Sequence, residues 1–436
     1  MRSLFSYHIT RENIFWILGF SSTASALAFV IGGHVLSLFT LSLIIAFIIF
    51  ITDEKNKNKG YNKEERCFLG WMIFGFASTI FGYLFFLDMP KWQEASLSYL
   101  PKIILYFLFF LYIRRNSNRS SYARNIISGI KVGVVINLLW CIFDSVVFYL
   151  TGESPTNTLF RSYIEAADIR DGGLAVIEAG GTVIRSGGLN GDPSNIGLFA
   201  TLLAFYSLVK KKYYLLLLCV LSVFAAVSFI AFLGIIFEFF VYLILFKDKK
   251  VFKTSILFLC IFIIVFIFLY NSSLDVVQTF KMAFEYRLET KKEMDTSDIR
   301  VEFITQFIPA LIQTPLALFI GTGFMTASYA YRGLFTGRSD FPHDPENHFV
   351  STFFDIGLIG FLYYMLFFVS FLKKLWNKSL LLSSDYNLIL FSCISGLFIN
   401  FGSYHFTMYS VNFMVSYAAM SYVERPKVVN TQLNKL

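Results

Sequence analysis

The chain has 436 residues, of which 56% are apolar, 19% aromatic and 15% charged, with a mean hydropathy of +0.62. A soluble surface uses about 25% charged residues, so these proportions exclude an ordinary water-soluble globule. The formal net charge of +8 does not point to nucleic acid, because the Lys and Arg fall in short clusters between apolar runs, as loops beside anionic lipid require.

In chain order, a polar and basic start leads into an apolar run at 14–33 that lacks a small-residue cleavage site and is read as a first membrane span. Runs at 35–51, 67–87, 96–113 and 132–150 follow, then a polar segment at 151–193 and a run at 194–209. The next run, 213–246, would make one helix about 50 Å long at about 1.5 Å per residue, against about 30 Å of hydrocarbon. It is therefore expected to be two short spans turning near Ala225 to Ser228. A run at 255–271, a second long polar segment at 272–347, and runs at 348–372, 386–402 and 404–422 complete the chain. The reading is an all-α polytopic membrane protein with about 12 transmembrane helices. Helices 1–5 lie in 1–150, 6–9 in 194–271 and 10–12 in 348–422, with a tail at 423–436. The five Cys all lie inside apolar runs, with no spacing that suggests disulfides or a metal.

Alternating loops carry the positive charge. Arg2 and Arg11, Lys55 to Arg66, Arg114 to Arg124, Lys210 to Lys212, Lys247 to Lys253, Lys373 to Lys378 and Arg425 to Lys435 all fall on one side if 213–246 is split. That side is expected to be cytoplasmic and to hold both termini, which puts 151–193 and 272–347 outside.

Function is sought in those two outer segments. The first ends in Arg185-Ser-Gly-Gly-Leu-Asn-Gly-Asp-Pro-Ser-Asn195, directly before a span. Its glycines permit tight backbone near a ligand, and an Arg beside a helix start can bind an anion. The same residues also suit a plain glycine turn that launches a span, with Arg185 at lipid headgroups. The second segment offers Arg287, Arg300, Arg332 and Arg338, and then Phe341-Pro-His-Asp-Pro-Glu-Asn-His348 before the next span. Apolar residues at Val301, Ile304, Ile308, Leu311 and Ile312 predict an amphipathic helix that Pro315 ends. An imidazole, a carboxylate and an amide together could hold and deprotonate a sugar hydroxyl, although a polar cluster at a helix start is also an ordinary cap. His343 and His348, five apart, match no standard zinc spacing. His8, His34 and His405 read as structural, and no phosphate loop or nucleophile elbow is present.

These residues resemble those of the Wzy-type O-antigen polymerase and O-antigen ligase superfamily. Glu346-Asn347, nine residues, then Gly357-Leu-Ile-Gly360 is similar to the family's pattern of His, then Asn, Ser or Gln, nine residues, Gly, two residues, and Gly, Thr or Tyr. The departure is Glu346 in the place of the His, with His348 two residues on. Arg300, a following helix, Pro315 and Gly321-Thr-Gly323 resemble the family's Arg, helix, Pro and Gly-x-Gly stretch, and Arg185, Gly188 and Pro193-Ser-Asn195 resemble its first-loop motif, one residue longer than expected.

The resemblance implies ten to fourteen spans, two large periplasmic loops (here 151–193 and 272–347), and a bacterial inner-membrane location. It implies transfer of a growing glycan from undecaprenyl diphosphate to a lipid-linked repeat unit. Arg185 and Arg300 would neutralise the diphosphate leaving group with two-donor contacts. His348 would be the general base, oriented by Glu346. Asn347, His343, Arg287, Arg332, Arg338, Gly188 and Asn195 would bind substrate. No metal or cofactor is expected. The expected partners are the undecaprenyl-diphosphate-linked oligosaccharide, membrane lipids and a polysaccharide chain-length regulator, with no nucleic acid. A ligase acting on lipid A core is the alternative within the superfamily. A lipid-linked oligosaccharide flippase is the alternative outside it, disfavoured because the spans hold few charges, chiefly Lys131, Asp144, Glu238 and Asp355.

Overall fold

A computed structural model of the chain describes residues 11–24, 26–31, 34–52, 61–86, 90–115, 119–160, 174–178, 182–190, 193–226, 228–246, 312, 314–324, 326, 348–400 and 407–421, with single positions at 253, 256, 271 and 278. Those residues are mostly helical. Among the described residues three helices are long and apolar enough to cross a membrane by length and composition, Lys63–Leu84, Arg119–Thr151 and His348–Leu375, and shorter apolar helices accompany them. The chain is a multi-pass membrane protein.

The first apolar run is not one continuous helix. Helix α1 (Arg11–Ser21) stops at a Ser21-Ser22-Thr23 cluster, where the Ser22 and Thr23 hydroxyls donate to the carbonyls of Gly19 and Phe20, each at 2.7 Å. Short hydroxyl side chains that bond back to the preceding turn compete with helix continuation. An antiparallel hairpin follows, β1 (Ala28–Ile31) on β2 (His34–Ser37), and then α2 (Leu38–Thr52). Next come α3 (Lys63–Phe85), α4 (Pro90–Arg115) and the 33-residue α5 (Arg119–Thr151). A reciprocal cap starts α3: Asn62 Oδ1 accepts from the Glu65 N–H at 2.7 Å while Glu65 Oε2 accepts from the Asn62 N–H at 3.0 Å. The same Glu65 carboxylate meets Arg114 at 3.4 Å and Arg119 at 3.7 Å, tying together the ends of three helices.

The polar segment after α5 contains α6 (Pro155–Leu159) and a second antiparallel hairpin, β3 (Leu174–Glu178) on β4 (Thr182–Ser186). Then α7 (Pro193–Val209) runs into α8 (Tyr213–Ala225) and α9 (Phe229–Phe246), so 213–246 is two helices, as its length requires. Apart from the single positions 256 and 271, the runs at 255–271 and 301–311 lie outside the described residues. Pro315, expected to end the preceding helix, opens the short helix α10 (Pro315–Ile320), in the first turn where a missing N–H has no cost. The chain continues through α11 (His348–Leu375), α12 (Lys378–Leu381), α13 (Asp385–Asn400) and α14 (Thr407–Ser421).

Helix α5 organises one half of the bundle. Gly129 and Gly133 on α5 and Gly19 on α1 leave no space for a Cβ against the facing backbone or side chain, so the two helices meet backbone to backbone, a packing mode suited to lipid. In the other half α3 packs on α11, and α7 on α9 and α13. Between them lies an aromatic core in which Trp71 stacks on Phe413 at 5.1 Å and Tyr106 on Phe413 at 4.1 Å, contacts of about 0.5 to 1.5 kcal/mol each beyond their buried area.

Candidate active site

The first-loop motif folds into the bundle. Strand β4 places Arg185 opposite Ala175 of β3, with the Arg185 side chain outside what the structure describes. A 3-10 turn at Gly188–Asn190 follows, and Gly188 adopts φ +61°, a left-handed conformation that glycine takes without penalty. Asn137 of α5 receives this turn: its Oδ1 accepts from the Leu189 N–H at 3.0 Å while its Nδ2 donates to the carbonyls of Thr23 at 2.7 Å and Gly133 at 2.9 Å. The Leu189 carbonyl accepts from the Ala26 N–H at 2.8 Å, and the Cys141 thiol donates to the Ser186 carbonyl at 3.6 Å. A buried non-helical turn needs such partners, because lipid supplies none. Asn195 is buried in the first turn of α7, beside Ile196, whose Cδ1 lies against Gly188.

The second-loop glycines build a crossing. Helix α11 is broken at Gly357, which has φ +67° and ψ 179°. The break frees carbonyls at the end of the first half-helix, and the turn after α10 satisfies them. The Thr322 N–H donates to the Phe354 carbonyl at 2.8 Å and the Gly323 N–H to that of Asp355 at 3.2 Å. The Asp355 carboxylate accepts from the Thr326 N–H at 3.0 Å, and the Phe324 N–H donates to Thr79 Oγ1 of α3 at 3.2 Å. A Cβ on Gly357 would stand 2.5 Å from the Gly321 nitrogen, so the glycines of both family motifs mark a single close backbone approach.

His348 opens α11 and is buried. Its Nε2 lies 2.8 Å from the Tyr364 hydroxyl and 3.3 Å from Thr352 Oγ1. Asn412 Nδ2 of α14 donates to the same Tyr364 hydroxyl at 2.8 Å, and Trp71 packs edge-on against the phenol ring at 4.7 Å. With Asn412 donating to it, the hydroxyl can direct its one proton to Nε2, the tautomer in which Nδ1 carries the ring hydrogen. The nitrogen best suited to take a proton is thus turned into the bundle.

Of the residues singled out in the sequence, Gly188 lies against Ile196, the residue after Asn195, His348 stands in the aromatic network, and Arg185 is placed by its backbone alone. Glu346, Asn347, His343, Arg287, Arg300, Arg332 and Arg338 lie outside the described residues. Among the described residues no three His, Cys, Asp or Glu side chains gather as a metal would need. Sequence reading missed Asn137, Tyr364 and Asn412. A polar residue inside an apolar run was the available signal for the two Asn; Tyr364 carried none.

Residues 214–365 match a family model described as O-antigen ligase. The match spans α9, the Gly-x-Gly turn, the Gly357 break and His348, whereas the Gly188 turn precedes it. No curated protein and no solved structure matches the chain.

Proposed function

Because the chain belongs to the Wzy and O-antigen ligase superfamily, we propose that it is an O-antigen polymerase of the bacterial inner membrane. It has about twelve spans, both termini in the cytoplasm, and the segments 151–193 and 272–347 in the periplasm. A hydroxyl of the lipid-linked repeat unit attacks the anomeric carbon of the growing glycan. The bond from that carbon to undecaprenyl diphosphate breaks, and the acceptor proton passes to a base. Arg185 and Arg300 hold the departing diphosphate, for which planar two-donor groups are better suited than point charges.

The base is assigned to Glu346 and a positioning role to His348, reversing the order expected from the sequence. The observation that carries this is the engagement of His348 Nε2 by Tyr364 inside the bundle. The spacing of the motif agrees with it, since the nine residues before Gly357 are 348–356, which leaves Asn347 at the family's Asn, Ser or Gln and Glu346, not His348, at its His. Glu346→Gln should then lower chain extension by roughly 10²- to 10⁴-fold, and Lys at Arg185 or Arg300 should not rescue either. His348→Gln should retain measurable polymer at matched expression. The reverse pattern would return the base to His348.

Polymerase and ligase share a donor and differ in acceptor. Deleting the gene and separating envelope glycolipids on a gel distinguishes them. Lipid A core capped by one repeat unit supports the polymerase, and complete loss of attached O-antigen identifies the ligase. Reporter fusions after Lys212 and after Lys250 should both read cytoplasmic, and a periplasmic signal at either one overturns the twelve-span arrangement.

A further inference from the structure

A second polar cluster lies away from the outer loops, where α5 meets the turn between α7 and α8. Lys131 Nζ of α5 and Lys212 Nζ of the turn each lie 3.2 Å from the same atom, the hydroxyl oxygen of Tyr206 on α7. The two ammonium groups are therefore at most twice that distance apart. Both also lie by the face of the Tyr206 ring, at 4.8 and 5.3 Å from its centroid. The phenol is buried and each lysine half-buried.

Arg114 and Arg119 converge on Glu65, and Lys210 pairs with Asp385. Among the described residues Lys131 and Lys212 have no carboxylate in ion-pair range and share a neutral oxygen instead. The hydrogen bond to Tyr206 pushes the Lys212 pKa upward, with a smaller contribution from Asp385 beyond ion-pair range, so the turn keeps its charge at neutral pH. Two half-buried like charges drawn together repel unless an anion bridges them, and each ammonium has N–H groups left after its bond to Tyr206.

The depth of the cluster identifies the anion. Lys131 lies about 30 Å along α5 from Thr151, one hydrocarbon thickness from the helix's far end. Tyr206 stands in the last turn of α7, just before Lys210 to Lys212. Further along the two helices that meet here, exposed apolar residues continue into the membrane, Ile136 and Leu139 on α5 and Leu217 and Leu221 on α8. We propose that Lys131 and Lys212, braced by Tyr206, bind the phosphodiester of an anionic membrane lipid at this end of the bundle, with acyl chains along α5 and α8. The proposal depends on the chain being membrane-embedded and not on the reaction it performs.

The test uses the full-length protein in nanodiscs of phosphatidylcholine with increasing phosphatidylglycerol, read by thermal melting and by native mass spectrometry of retained lipid. Wild type should be stabilised by phosphatidylglycerol and retain it, and inorganic phosphate should not reproduce the shift. K131Q/K212Q should weaken retention about fivefold for each lysine removed, whereas K373Q/K374Q, which removes equal charge elsewhere, should leave it unchanged. If the double variant does not fold, K212Q alone, in the turn rather than on a packed helix, gives the single fivefold step. Equal retention by wild type and lysine variants overturns the site, and a full shift with inorganic phosphate overturns its assignment to a lipid.

Discussion

The Gly188 turn and the Gly357 break solve one problem by different means. Each puts non-helical backbone inside a bundle that offers it no water. At Gly188 the partner is a side chain, since Asn137 bonds Leu189, Thr23 and Gly133 at once. At Gly357 the partner is backbone, because the N–H groups of Thr322 and Gly323 meet the carbonyls of Phe354 and Asp355. A site held by one side chain can be removed by one substitution without overlap, whereas a backbone crossing can be broken only by obstructing it. The crossing is accordingly the more sensitive to added volume and the turn to lost polarity.

The largest effect is expected from Gly357→Ala. The new Cβ would stand 2.5 Å from backbone atoms of Ile320 and Gly321, which cannot rotate aside, and φ +67° adds its own penalty. A loss above about 3 kcal/mol, at the upper end for point substitutions, is expected, visible as a collapsed monodisperse peak in detergent chromatography. Next is Asn137→Leu, which keeps the volume but strips the buried Leu189 N–H and Thr23 carbonyl of partners, at a cost of about 2 to 3 kcal/mol. Asn137→Asp should fall between it and wild type, since the acceptor for Leu189 survives. Gly188→Ala should cost less, about 1 to 2 kcal/mol for the left-handed backbone, because its Cβ would meet chiefly the rotatable end of Ile196. Melting temperatures that placed Gly188→Ala below Gly357→Ala would invert the comparison.

How much of this was legible in the sequence depends on the kind of signal. Hydropathy and length located most helices and required the division of 213–246, because both follow from the thickness of a bilayer. They could not show that 14–33 is a helix followed by a hairpin, since the mean hydropathy of the run stays high across Ser21, Ser22 and Thr23 and the stop comes from hydroxyls bonding back at Ser22 and Thr23. Pro315 opens a helix that the sequence reading did not foresee, since proline suits either end of a helix and only the flanking backbone shows which. The family spacing found Gly321, Gly323 and Gly357 as a pattern, but that they touch is a tertiary fact. The polar atoms of Asn137 were visible in an apolar run without any hint of what they bind. His348 was legible as chemistry and not as burial, which is why we propose a positioning role for it.

The smallest expected effect also bears most on mechanism. Tyr364→Phe removes the hydroxyl shared by His348 and Asn412 while keeping the ring against Trp71. The stability cost should be about 1 kcal/mol, that of a hydrogen bond whose partners can re-pair locally. If His348 only positions the start of α11, chain extension at matched expression should fall less than about tenfold, because Glu346 still takes the proton. If the Nε2 nitrogen itself handles the proton, the substitution alters its tautomer and surroundings, and the loss should approach the roughly 10²-fold or more of a missing base. Measuring extension across pH sharpens the distinction. A positioning role leaves the shape of the profile unchanged in Tyr364→Phe, whereas a proton-handling His348 shifts one of its limbs. A shifted limb with a large rate loss would return the catalytic role to His348 and leave Glu346 to orient it.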